Sequence, residues 1–175
     1  MSLPTDIAPD ITIGPAEAED VGEIWTLQLA AYVFEAQACG DPCIPPLTET
    51  VPQIRSAMDQ GALLLKATRG GRIVGAARGR SAGRTFLIGR LAVAPDQRRR
   101  GLGRTLAGAI ERYALERHPG LSAFALTTTH TGDAGLRLYR GLGYQETTRE
   151  RIAGHLTMVH LRKEVPGRVP IAGTP

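Results

Sequence analysis

Apolar side chains recur along this chain in two rhythms, alternate or continuous over short runs and every three or four residues over longer ones. A short strand falls at 11–13. Asp20 and Glu23 have capping spacing for a helix whose Ile24, Leu27, Ala31 and Phe34 share one face, which predicts an end near Phe34. The stretch 39–47, CGDPCIPPL, carries three prolines and is expected to be a loop. Thr50 and Gln53 form a second capping pair for a helix with Val51, Ile54 and Met58 inward, stopped at Gly61. An apolar strand at 62–68, the turn Arg69-Gly70-Gly71, a returning strand at 72–80 and a turn near Ala82 and Gly83 lead into a central strand. That strand holds Phe86, Leu87, Ile88, Leu91, Ala92 and Val93, and Pro95 ends it. The next helix aligns Leu102, Leu106, Ala109, Ile110 and Tyr113. Beyond the break at Pro119-Gly120, 121–128 is apolar almost throughout, as suits a strand buried on both faces. Asp133 is placed to cap a short helix with Leu136, Tyr139 and Leu142, and strands near 144–149 and 156–161 follow. Loose tails are expected at 1–10 and 164–175.

Between the central strand and its helix lies a basic turn, Gln97, Arg98, Arg99, Arg100, Gly101, Leu102, Gly103 and Arg104. The first amides of a helix have no intrahelical acceptor and carry the positive end of its dipole, so a phosphate can bind there. Glycines at 101 and 103 let an anion approach the backbone, and the arginines add cationic charge. The alternative reading is a solvated basic turn. Neither the P-loop spacing nor the third glycine of a dinucleotide turn is present.

Composition narrows the picture. At 175 residues, with 42% hydrophobic and 22% charged positions, the chain suits one globular domain. The net charge of +4 favours an anionic ligand, and the arginines gather at 78–104 rather than along an exposed tract, which argues against nucleic acid. Cys39 and Cys43 lack the partners of a zinc site, so no metal is expected. The first ten residues do not read as a signal peptide and no run is long enough to span a membrane. A cytoplasmic protein without membrane contact is the expectation.

The segment L91-A-V93-A-P95-D-Q-R98-R-R-G101-L-G103 resembles the central motif of the GNAT superfamily of acyl-CoA-dependent N-acyltransferases, and L136-R-L138-Y139-R-G-L142-G143-Y144 is similar to its later tyrosine motif. The resemblance covers about 11–163. It implies an α/β (α+β) fold: a mixed, mostly antiparallel sheet of about six to seven strands, flanked by about four helices and splayed at the acyl-CoA site. It also implies acetyl-CoA as co-substrate, a primary amine of a small molecule or peptide as acceptor, direct attack in a ternary complex, and a possible homodimer. Backbone groups of Leu91 and Val93 would pair with the pantetheine arm. The amides from Arg98 through Arg99, Arg100, Gly101, Leu102 and Gly103 to Arg104 would take the pyrophosphate, and Tyr139 would protonate the departing thiolate.

Two positions depart from the family. Gly89 stands where many relatives carry a strand glutamate, and Gly132 where they often carry an asparagine that contacts the coenzyme. A base must then come from elsewhere: Glu35, Asp41, His130, Glu146 and Glu150 are candidates, or water relays the proton. Glu35, Asp41 and Glu49 would suit a cationic acceptor, Arg149 and Arg151 a carboxylate. A coenzyme-binding sensor without turnover is the alternative function.

Overall fold

The computed structural model describes residues 10–130 and 133–167. In chain order the elements are β1 (Ile11–Pro15), α1 (Val21–Cys39), α2 (Pro45–Thr48), α3 (Val51–Asp59), β2 (Leu63–Arg69), β3 (Arg72–Ala82), β4 (Thr85–Val93), α4 (Leu102–Arg117), β5 (Ala123–Thr129), α5 (Asp133–Gly141), β6 (Gln145–Ala153) and β7 (Leu156–Glu164). The strands form one mixed sheet in the order β1-β2-β3-β4-β5-β7-β6. Every pairing is antiparallel except that of β4 with β5.

Helices cover both faces. On one, Ile24 and Gln28 of α1 and Ile54 of α3 lie against Leu64, Ala76 and Ala92. On the other, Leu102 and Leu106 of α4 approach β3 so closely that a Cβ on Gly75 would sit 2.6 Å from the Leu106 side chain. Ile54, Leu65, Leu106 and Ile110 are fully buried in the resulting core. Removing that apolar area from water is the main stabilising term, about 25 cal/mol per Å².

The feature that positions the site is a parting of strands. β4 and β5 pair only through Thr85–Ile88 and Ala123–Leu126. Beyond Ile88, β4 stays with β3 across a register irregularity, with Arg90 at φ 51°. β5 instead stays with β7 as far as Thr129. The two central strands thus diverge at their C-terminal ends, and backbone hydrogen-bonding groups of β4 near Leu91 and Val93 face a gap rather than a neighbouring strand.

Several boundaries differ from the pattern read along the chain. α1 runs past Phe34 to Cys39, because Ala36 and Cys39 bury a second small cluster with Ile44 before Gly40, at φ 67°, ends the helix. Pro45 and Pro46 do not exclude a helix: they occupy the first turn of α2, where a missing N–H costs nothing, and with this turn the described residues form five helices rather than the four or so expected. Asp20 precedes α1 as predicted, yet its carboxylate accepts from the Glu17 amide (2.8 Å) and the Lys66 ammonium (2.7 Å), while Glu23 accepts from the Ile73 amide (2.8 Å). The Thr50 and Gln53 capping box forms as expected. β7 extends to Glu164, and Val165 is buried with its amide on the Ser122 carbonyl (2.8 Å), so the chain holds to the sheet through Val165. Of the tails expected at 1–10 and 164–175, residues 1–9 and 168–175 lie outside the described residues, as does Gly132.

Candidate active site

The basic turn is built as an anion cradle needs to be. Gly101 is the N-cap of α4 at φ 77°, with no side chain to cap the helix, and Arg99 is also left-handed at φ 61°. A turn of this kind makes a concavity of amides. The first ring of the helix closes with the Thr105 amide on the Gly101 carbonyl (3.1 Å), so the amides of Leu102, Gly103 and Arg104 have no intrahelical acceptor. Leu102 contributes backbone only, since its side chain is buried. Arg99 and Arg100 are exposed beside the turn, and Arg104 lies on the first turn of α4 with its guanidinium 3.5 Å from the Gly141 carbonyl.

Arg98 departs from this arrangement. Its guanidinium turns toward α1, donating to the Ala31 carbonyl (2.6 Å) and lying 4.8 Å over the Phe34 ring. Its backbone begins the turn, but its charge is spent on fixing α1 to the loop.

A cavity of about 200 Å³ opens between α1 and β4, lined by Tyr32, Phe34, Glu35, Leu91, Val93 and Arg98 among others. The Leu91 carbonyl on this edge already accepts from the Tyr32 hydroxyl (3.1 Å). A carbonyl oxygen has a second lone pair, so the contact leaves room for another donor. Burial pushes the Tyr32 phenol well above its ordinary range, with Tyr139 and Glu35 adding to the shift.

Tyr139, from α5, stands over the far side of the gap. Its ring packs edge-on against Tyr144, with centroids 5.8 Å apart. Burial first and the charge of Glu35 second push its phenol up to about 12. It is therefore a neutral hydroxyl at any working pH, able to donate but not to serve as a resting anion.

The structure also disposes of most candidate charges. Glu49 is held by Arg78 (2.6 Å), Arg90 (3.4 Å) and Gln28 (2.9 Å), and although burial opposes its charge, these partners keep its carboxyl below the usual range. It is not free to attract an amine. Asp41 accepts from the Cys43 amide (2.8 Å) and faces His155 at 3.3 Å. Glu146 is paired with Arg149 and Arg140, and Arg151 donates to the Gly154 carbonyl (3.2 Å). His130 and Glu150 are exposed, Glu150 lying 3.5 Å from His160. Sequence reasoning missed Tyr32 and the Arg78, Glu49, Arg90 group; Tyr32 sits one position from the apolar stripe of α1, and the only signal for it was an aromatic hydroxyl beside that stripe.

No described helix is long and apolar enough to cross a membrane, and the described residues hold no cluster of three or more acidic, His or Cys side chains suited to a metal.

Known proteins agree with this architecture. The fold is similar to that of the ribosomal-protein-S18-alanine N-acetyltransferase of Escherichia coli, with 20% identity, a TM-score of 0.75 and coverage of 94% of this chain and 99% of that one. It is similar to the PaiA N-acetyltransferase of Thermoplasma acidophilum in complex with coenzyme A, with 16% identity, a TM-score of 0.71 and coverage of 89% and 99%. It also resembles YncA, a putative acetyltransferase of Salmonella typhimurium with its cofactor acetyl-CoA, with 18% identity, a TM-score of 0.70 and coverage of 94% and 99%. In sequence, the chain is 27% identical over 147 residues to the UPF0157 protein YqkA of Bacillus subtilis (strain 168), a match that takes in 83% of this chain but only 41% of that relative's length. The family model "Acetyltransferase (GNAT) family" matches residues 23–144, which include the parted strands, the uncapped turn and the tyrosine of α5, and the chain belongs to that family.

Proposed function

We propose that this protein is an N-acetyltransferase that moves an acetyl group from acetyl-CoA to a primary amine by direct attack within a ternary complex. The observation that carries this reading is the parting of β4 from β5 beside the uncapped N-terminus of α4. A pantetheine arm hydrogen-bonds like a strand, and the open edge of β4 at Leu91 and Val93 offers it a partner. The pyrophosphate meets the amides of the turn from Arg98 to Arg104, with Arg99, Arg100 and Arg104 supplying countercharge. The thioester then lies in the gap between α1 and α5.

Transfer forms a bond from the amine nitrogen to the acetyl carbon and breaks the bond from that carbon to sulfur. Tyr139 donates its phenolic proton to the departing sulfur, and a proton lost from the newly formed amide nitrogen restores the phenol. The structures of PaiA in complex with coenzyme A and of YncA with acetyl-CoA support acetyl-CoA as the donor. The direct test is release of free coenzyme thiol from acetyl-CoA with a panel of primary amines. Release that depends on the amine and yields an acetylated product is expected; binding of acetyl-CoA with no release for any amine identifies a sensor instead.

A further inference from the structure

Glu35 stands apart from the other acidic groups near the gap. It lies on α1 in the wall of the cavity that holds Leu91 and Val93, and it is partly buried. The hydroxyl of Thr129, the last residue of β5, donates to its carboxylate. Glu35 thus reaches from the β4 side of the gap to the end of β5, across the place where the strands part. Among the described residues no Lys, Arg or His forms an ion pair with it, whereas Glu49 and Glu146 face arginines and Asp41 faces His155.

The groups that face it are Tyr32 from its own helix, Thr129 from β5 and Tyr139 from α5. Across the cavity Arg98 is already engaged by the Ala31 carbonyl and the Phe34 ring. A carboxylate partly withdrawn from water without a countercharge is costly unless a cation joins it. The tyrosines beside it are neutral donors and supply no charge. An alkylammonium supplies one.

Resting on the acetyltransferase reading above, we propose that Glu35 receives the ammonium of an aliphatic amine acceptor and takes its proton before attack. The carboxylate gains one proton and the amine becomes neutral. The amine then forms the bond to the acetyl carbon, sulfur leaves with the Tyr139 proton, the second proton lost by nitrogen returns to Tyr139, and Glu35 gives its proton to solvent. Two protons leave the ammonium and one is retained by the coenzyme thiol, so the turnover balances. The arrangement also explains how a chain with Gly89 on its central strand manages without a carboxylate there.

The need for such a base depends on the acceptor. A lysine-like amine with a pKa near 10.4 is about one part in a thousand neutral at about pH 7.4. An aromatic amine is already neutral and needs no proton removed before attack.

The test compares Glu35→Gln with wild type on alkylamines and aromatic amines, with acetyl-CoA-dependent thermal stabilisation measured on both proteins. Glutamine keeps the shape and the contact with Thr129 but accepts no proton. Coenzyme stabilisation should be retained. kcat/KM for alkylamines should fall about 100-fold or more, within the range of acid and base catalysis, while aromatic amines change less than about threefold. The alkylamine deficit should shrink from about pH 7 to 9 as the free amine becomes neutral in solution. Thr129→Val, which removes only the anchoring hydroxyl, should give a smaller loss with the same selectivity. Equal losses for both amine classes, no loss for either, or a wild type that accepts only aromatic amines overturns the role of Glu35 and leaves the coenzyme site standing. No thermal response to acetyl-CoA in wild type instead overturns the reading on which it rests.

Discussion

Two tyrosines flank the gap and owe their state to burial rather than to sequence position. Tyr139 sits in the later family motif, and its phenol, pushed up to about 12 by burial and then by Glu35, remains a proton donor throughout the neutral range. Replacing it by Phe removes one hydroxyl and keeps the packing on Tyr144. Turnover is expected to fall about ten- to a thousandfold while coenzyme affinity stays within a few fold, measured by single-turnover kinetics and thermal shift. Unchanged turnover at a chemistry-limited step would make Tyr139 a packing residue. Glu49 offers a prediction of another kind. Its carboxylate is surrounded by Arg78, Arg90 and Gln28, with 13% of its side chain exposed. Glu49→Ala leaves two guanidinium groups without their anion and should cost about 3 kcal/mol, near the low end for a buried pair. For a domain of this size that is a fall in Tm of about 6 to 12 °C.

At the scale of elements, the N-terminus of α4 is the structure most dependent on glycine. Gly101 caps the helix from the left-handed region, so even alanine there should cost about 1 to 2 kcal/mol through backbone strain. Gly103 is different: its φ is ordinary, and a Cβ would meet Leu138 and Val93 only at 3.7 and 3.8 Å. Alanine is therefore tolerated at 103, whereas Gly103→Asp places an anion where a pyrophosphate is proposed to bind. Acetyl-CoA at a hundredfold excess over its Kd should stabilise wild type by about 2.7 kcal/mol, a rise in Tm of about 5 to 10 °C. The aspartate should abolish most of that rise; equal rises would place the coenzyme elsewhere. The capping box of α3 is a control. Thr50→Ala should cost about 1 kcal/mol and leave turnover unchanged, because α3 supports the core and lines neither the turn nor the gap.

Across the whole molecule, carboxylates at or near the surface tie distant segments together. Asp96, held low chiefly by hydrogen bonding to Arg72, joins the loop after β4 to the start of β3. Asp41, held low by the Cys43 amide and then by His155, joins the end of α1 to the hairpin of β6 and β7. Glu146 is held low by Arg149 and, less strongly, by Arg140. A carboxylate with a depressed folded pKa binds fewer protons folded than unfolded, so its contribution is present above the unfolded pKa, about 3.9 for Asp and 4.3 for Glu. It is lost as the pH falls through the folded value. Tm should hold nearly level from about pH 7 to 5 and decline below about pH 4. Asp96→Asn should lower Tm near pH 6, and the gap to wild type should close in acid; a gap that persists at about pH 2 would mean that its charge is not the cause.

The amino-acid sequence by itself determined the order of elements apart from α2, a mixed sheet of about six to seven strands, the basic turn and the position of Tyr139. Each of these is written in local terms: apolar periodicity, capping pairs, prolines at strand ends and glycines at turns act over a few residues. It misplaced the end of α1 because Ala36 and Cys39 pack with Ile44 beyond the helix and with Leu156 from the last hairpin, far along the chain. It misread Pro45 and Pro46 because a proline forbidden inside a helix is welcome in its first turn, and only the path of the chain says which applies. Tertiary structure alone decided which charges remain for chemistry. Arg98 was turned toward α1, and Glu49, equal to Glu35 in any reading of composition, was enclosed by arginines from β3 and β4. Glu35 was brought across the gap to Thr129, 94 positions further along the chain. Charge pairing depends on contacts between residues far apart in sequence, and those contacts exist only once the sheet has formed and its central strands have parted.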